Sequence, residues 1–175
     1  GYAGRVAGGV FRKGDKVMVL PSGFVTTIES IDGYNGELQE VYPPMSATIR
    51  LSDDLDISRG DMIVKENNVP KVSQDIDVMM CWMNDKPLTP RTKYHLKHTT
   101  NDVKCMVKEI KYKVDVNTLD RIPDGQELKM NEIARVSLRT TKPLFFDSYR
   151  QNRNTGSLIL IDEATNNTMG VGMIV

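Results

Sequence analysis

Turn signals punctuate this chain at close, regular intervals, and that cadence leaves room for little but short strands. Lys13-Gly14-Asp15, Pro21-Ser22-Gly23, Asp32-Gly33, Asn35-Gly36, Pro43-Pro44 and Arg59-Gly60-Asp61 follow one another along the front of the chain. Between them lie β-branched runs such as Val25-Thr26-Thr27-Ile28-Glu29-Ser30-Ile31 and Ser46-Ala47-Thr48-Ile49-Arg50-Leu51. Short Val/Ile/Thr-rich segments between turns predict an all-β barrel or sandwich. No stretch carries an apolar stripe of helical period, so helix is expected to be scarce. Gly4, Gly8 and Gly9 are expected within one strand running into the turn at 13–15, marking a bulge or a close backbone approach. The next strand is expected from Lys16 to Leu20.

Beyond residue 75 the strands lengthen. Ile76 to Met83 is a nearly continuous apolar run, as in a strand buried on both faces or lying at a domain interface. In 103–114, Val103, Cys105 and Val107 alternate with lysines, and then Ile110, Tyr112 and Val114 take the apolar role at the opposite parity. A period-2 strand cannot change faces without an extra residue, so a β-bulge is predicted near Lys108-Glu109. Across 131–141, Ala134, Val136 and Leu138 should face in and Arg135, Ser137 and Arg139 out. Gly156–Asp162 and Thr168–Val175 are predicted to form a final hairpin. The one helical turn is expected at Asn117-Thr118-Leu119-Asp120. The polar, Pro-containing stretch 66–75 is the expected linker, giving domains 1–72 and 75–175.

The 175 residues carry 23 basic and 23 acidic side chains. Divided near residue 75, the front holds 8 basic and 11 acidic residues and the rear 15 and 12, so −3 and +3. Charges that small, without a clustered basic stripe, speak against nucleic acid as a partner. Cys81 and Cys105 lie among apolar residues and read as reduced thiols packed as small hydrophobes, although neighbouring strands could also bridge them. The longest uncharged apolar stretch, Val78 to Asn84, is far below the roughly 20 residues of a membrane span, and no signal peptide is read at the start. A soluble, cytoplasmic protein with no membrane partner is expected.

Side chains able to do chemistry are few. His95 and His98 are the only histidines, and three-residue spacing on a strand sends the two rings to opposite faces, which disfavours a metal site or a triad. Asp53-Asp54-Leu55-Asp56 lacks the glycine and the distal glutamate of a calcium loop and reads as a solvated loop. Arg59-Gly60-Asp61 reads as a tight turn rather than an adhesion signal. No Gly-x-x-x-x-Gly-Lys-Ser/Thr run exists to cradle phosphates. The expectation is therefore no catalytic, cofactor-binding or metal-binding residue in this chain, which by itself should be inactive.

Taken together, Gly-Arg-Val-x-Gly-x-Val at 4–10 and Asp-Ile-Ser-Arg-Gly-Asp at 56–61 resemble the second domain of translation-type GTPases. More specific are Gly23-Phe24 with Ile28-Glu29-Ser30-Ile31-Asp32, Pro44-Met45-Ser46 through Asn67-Asn68-Val69-Pro70, and Cys81-Trp82-Met83-Asn84-Asp85-Lys86-Pro87-Leu88 with Lys97-His98-Thr99-Thr100. Arg139 to Arg150, Thr155-Gly156-Ser157 and Leu160 to Thr165 add to these. Over essentially all its length the chain resembles the large, GTP-hydrolysing subunit of sulfate adenylyltransferase, an elongation-factor-Tu-like family. The resemblance implies two consecutive antiparallel β barrels, domains two and three, cut from a longer parent. It implies that GTP and Mg belong to the parent's missing N-terminal GTPase domain and that no cofactor belongs to this fragment. The implied partners are that domain and a small catalytic subunit, which joins ATP and sulfate into adenylyl sulfate and pyrophosphate in sulfate assimilation. The competing readings are domains two and three of a translation factor that binds aminoacyl-tRNA, and a stand-alone β-barrel binding module.

Overall fold

The computed structural model describes residues 1–123 and 125–175, and among them there are strands and no helix. Two compact units divide the chain, Gly1–Pro70 and Lys71–Val175. The first holds β1 (Tyr2–Arg5), β2 (Phe11–Arg12), β3 (Lys16–Leu20), β4 (Phe24–Gly33), β5 (Gly36–Glu37), β6 (Glu40–Val41), β7 (Ser46–Leu51) and β8 (Met62–Lys65). The second holds β9 (Lys71–Trp82), β10 (Lys93–His98), β11 (Asn101–Val114), β12 (Arg121–Ile122), β13 (Ile133–Phe146), β14 (Ser157–Ile161) and β15 (Thr168–Ile174). The residues 71–75, expected to be linker, are instead the first part of β9.

In the first unit an antiparallel path runs β1-β7-β4-β3-β8, with β5 paired to β4, and its two ends do not meet. The ribbon β2–β6 stands apart from that sheet, yet its Phe11 and Val41 enter the same core as Val17, Val19, Ile28, Ile31 and Leu51. The barrel expected here is thus realised in part: one core, enclosed by an open sheet and a separate ribbon. The single glycine-bearing strand expected from Gly4 is also interrupted. The chain leaves β1 after Arg5, Gly9 takes φ +73°, and pairing resumes only at Phe11. Glycine accepts that left-handed angle without a Cβ clash, so the pair Gly8-Gly9 acts as a break and not as a bulge. Arg59-Gly60-Asp61 is the tight turn read from the sequence. Gly60 sits at φ +103°, and the Asp61 and Ser58 backbone N–H groups bond Ser58 O and Asp61 Oδ2.

The second unit closes. Its ladder runs β10-β14-β15-β9-β13-β11 and returns to β10, a six-stranded ring with β12 attached outside to β11. Closure removes the unpaired edges that an open sheet would expose. The interior is filled by Val78, Met80, Trp82, Leu96, Val136, Leu138 and Leu160, none more than 0% exposed. Trp82 meets Tyr94 edge-on at 5.5 Å between centroids and donates its Nε1–H to Lys86 O at 2.8 Å. An aromatic body in the core with its polar tip satisfied is the arrangement such a residue needs.

The β11–β13 register slips between Val107 and Glu109, where the parity change placed the bulge. A second slip, between Ile110 and Tyr112, was not foreseen. It turns Lys113 inward in place of Val114; Lys113 is 9% exposed, with Nζ 3.0 Å from the Glu132 carboxylate. On β13, Ser137 faces out as expected but is covered, because its hydroxyl donates to Asp77 Oδ1 at 2.6 Å. The helical turn expected at 117–120 forms two residues earlier, over 115–119, and stays a single turn. Asp115 Oδ1 accepts from the Asn117 and Thr118 backbone N–H groups, and Leu119, at φ +63°, closes one turn on Asp115 O. The Asp115 carboxylate caps the turn's free N–H groups, and Leu119 in the left-handed region ends it.

Candidate functional site

The sequence-derived polar candidates do not converge. His98 is 1% exposed inside the barrel end, with Nε2–H donating to Thr155 O at 2.7 Å. His95, three residues earlier, points outward beside Asp102 at 3.3 Å. Burial holds the His98 pKa below its ordinary value, against the opposing pull of the Thr155 carbonyl. Cys81 and Cys105 are both free; burial pushes the Cys105 thiol up to about 12, so it carries no nucleophilic thiolate. Asp53 lies in the solvated loop and accepts from Thr26 Oγ1 at 2.7 Å. Among the described residues no group of three His, Cys, Asp or Glu side chains could hold a metal.

Two features on the outside of the closed barrel stand out instead. The first is a charged lattice over β9, β13 and β11. Asp77 accepts from Lys111 Nζ at 2.8 Å, Arg135 at 3.0 Å and Ser137 at 2.6 Å, while Asp75 is bridged by Lys108 and Arg139. Desolvation pushes the Asp77 carboxyl up, but the bonds from Lys111, Ser137 and Arg135 outweigh it and hold the pKa at about 2. These charges are satisfied by one another and stitch three strands together.

The second feature is apolar. On β15 the inward positions are Gly170 and Gly172, because the interior is already full. A Cβ on Gly170 would sit 2.7 Å from Trp82 Cε3, and one on Gly172 2.9 Å from Leu158 Cδ1. The outward positions are Val171 and Met173, 36% and 37% exposed. Across the ladder Val171 lies opposite Cys81 and Ile159, and Met173 opposite Met79. Ile161 on β14 and Ile133, opposite Cys81, extend the same sector. A water-facing barrel strand should carry polar residues outside. Here half-buried apolar side chains stand outside on β9, β15 and β14, bordered by Asp77 along β9 and by Arg135, His95 and Lys97 on the flanking strands. The sequence reading passed over Ile159, Ile161, Val171 and Met173 as a plain hairpin. The signal available was the alternation Gly170-Val171-Gly172-Met173, in which the small residues take the inward parity. The run Ile76–Met83, expected to be buried on both faces or at a domain interface, is buried on one face only: Ile76, Val78, Met80 and Trp82 point in, while Asp77, Met79 and Cys81 are half-buried outside and Met83 is exposed.

The comparisons with known proteins agree with this architecture. Residues 75–175 match the family GTP-eEF1A C-terminal domain-like, which is more than half of the chain. The chain belongs to that family. Across its length it is similar to the bifunctional enzyme CysN/CysC of Mycobacterium tuberculosis (strain ATCC 25618 / H37Rv), at 51% identity over 174 residues. It is similar also to sulfate adenylyltransferase subunit 1 of Bacteroides fragilis (strain YCH46), at 48% over 175 residues. It covers 99% and 100% of itself in these matches but spans only 28% and 37% of the relatives' own length. A solved structure of sup35 complexed with GDP superimposes with a TM-score of 0.86 at 17% identity, covering 99% of this chain and 43% of that one; that likeness carries the fold alone. Among the described residues no helix is long and apolar enough to cross a membrane.

Proposed function

We propose that this chain forms the non-catalytic β domains of the GTP-hydrolysing subunit of sulfate adenylyltransferase. Its parent works with a small catalytic subunit that makes adenylyl sulfate and pyrophosphate from ATP and sulfate, in the cytoplasm. The reading is carried by the similarity, along the whole of this chain, to part of sulfate adenylyltransferase subunit 1. In it, GTP and Mg are held by a separate GTPase domain of the parent, and the barrels act as rigid bodies that relay its state. The outer apolar sector around Val171 suits that role, since a relay needs a face whose contacts differ between two states of its neighbours.

The test is pyrophosphate release by the reconstituted parent and small subunit, with residues 1–175 present or deleted and GTP present or absent. Loss of GTP stimulation on deletion is the expected result; full stimulation without the barrels would defeat the proposal. The isolated chain should bind GTP no better than millimolar, and calorimetric titration with GTP and Mg giving micromolar affinity would be equally damaging.

A further inference from the structure

Asn35 is the only asparagine of the chain that is followed by glycine. It sits at the tip of the hairpin joining β4 to β5, where Gly33 pairs with Gly36 and Asp32 with Glu37. Tyr34, Asn35 and Gly36 are all exposed. Gly36 takes φ +119°, and a Cβ built on it would meet nothing within 4 Å, so neither a side chain of its own nor a neighbour crowds that part of the backbone. Other asparagine amides are tied down: Asn84 Oδ1 accepts the Lys86 N–H at 3.0 Å, and Asn152 Oδ1 the Asn154 N–H at 2.9 Å. Among the described residues no hydrogen bond or ion pair holds the Asn35 side chain. Strand β5 has only two residues and is bonded to β4 alone. Such a tip opens locally at little cost to the rest of the sheet.

We propose that Asn35-Gly36 is a self-modification site, where water converts the asparagine to isoaspartate and the hairpin then unpairs. Hydroxide takes the Gly36 N–H proton, and the freed nitrogen attacks Asn35 Cγ. A C–N bond forms, and the side-chain amide leaves as ammonia with a proton from water. Water then adds to a carbonyl of the resulting five-membered succinimide and breaks its bond to nitrogen. Opening at Cγ gives aspartate; opening at the backbone carbonyl gives isoaspartate. One water enters and one ammonia leaves, so neither oxidant nor enzyme is required. Glycine favours the attack because it places no Cβ beside the nitrogen.

The isoaspartyl linkage routes the main chain through the former side chain and adds a methylene between Gly33 and Gly36. Loop length fixes a hairpin's turn and register, so the pairs beyond the turn are lost. Leu38 depends on them. Its N–H donates to Ile31 O at 2.7 Å, and its side chain packs against the first core and over Gly33, where an added Cβ would lie 2.7 Å from Leu38 Cδ1. The Lys13–Glu37 ion pair, at 3.5 Å, goes with the same segment. Aspartate, the other product, adds a charge but keeps the backbone length and the register.

The test ages the full chain in neutral and mildly alkaline buffer and maps it by tryptic digestion and mass spectrometry. Asn35 is the only asparagine between the cleavage sites at Lys16 and Arg50, so that peptide reports it alone. Its amide should be lost at least ~10-fold faster than those of Asn84 and Asn152, a barrier difference of about 1.4 kcal/mol, and the rate should rise with hydroxide. Asn35→Gln, which would need a six-membered ring, should stay intact. Equal rates at the three asparagines would overturn the proposal, and so would aspartate without isoaspartate, the mark of direct hydrolysis. Hydrogen exchange at the Leu38 amide reads the structural consequence. It should quicken at least ~10-fold in the aged chain and stay unchanged in freshly prepared Asn35→Asp. Unchanged exchange in the isoaspartyl protein would overturn the unpairing; equal quickening in Asn35→Asp would assign it to charge and overturn the backbone argument.

Discussion

At Gly170 a single added methyl group meets the Trp82 ring at 2.7 Å and the Met80 sulfur at 2.9 Å. The ring cannot give way, since it is fully buried, tied through Nε1 to Lys86 O and braced by Tyr94. Gly170→Ala should therefore destabilise the second unit by about 1–3 kcal/mol, the usual penalty of overpacking, read as a lower urea midpoint with unchanged slope. His98 gives a pH dependence of definite sign. It is neutral in the fold, its Nδ1 has no partner, and burial lowers its pKa. The unfolded chain, with an ordinary value of about 6.5, takes up the proton first as pH falls. The contribution is thus complete above about pH 6.5 and is lost below it. His98→Gln should flatten the fall of stability between about pH 7 and about pH 5, measured by denaturant titration at each pH. Asp77 acts in a lower window. Its folded value of about 2 lies below the unfolded one, so its contribution, about 1 kcal/mol after solvent screening, is full above about pH 4 and disappears as pH falls towards 2.

Strand β11 shows how an element is specified by parity. Val107 pairs with Leu138 and Glu109 with Ser137, so Lys108 is left without a counterpart at the first slip, as Lys111 is at the second. Removing Lys108 would leave Val107 inside, Glu109 outside and Ile110 inside, in a regular ladder. Removing Lys104, a residue of the regular part, would send either Val103 or Cys105 to the wrong face. The expectation is that the Lys108 deletion folds with a melting temperature lowered by a few degrees, while the Lys104 deletion yields no cooperative transition; circular dichroism melts decide between them. The first bulge was legible because apolar residues sat on both sides of the parity change. The second was not, because it favours Lys113 over Val114 inside, and only the Glu132 carboxylate near its ammonium group makes that choice tolerable. The helical turn expected at 117–120 came two residues early, capped by Asp115, and went no further because Leu119 sits at φ +63°.

For the whole molecule, closure separates the two units. The second has a closed ring and a core drawn entirely from residues 76–174, so residues 71–175 expressed alone should unfold in one cooperative transition. The first, with its open path and smaller core, should be markedly less stable alone, as differential scanning calorimetry of the two pieces would show. The sequence by itself determined the all-β class, the turns, the final hairpin, the bulge at Lys108, the divergence of His95 and His98, and the family. Each of these is set by local backbone preference, by strand parity or by motifs contiguous in the chain. Tertiary structure alone decided that the second sheet closes while the path through the first stays open, since closure depends on β10 pairing with both β11 and β14. It alone also assembled the outer apolar sector. Met79, Cys81, Ile159, Val171 and Met173 come from three strands, and no one strand's pattern reveals that their outward faces join; the register of the ladder, fixed by a filled interior at Gly170 and Gly172, brings them together.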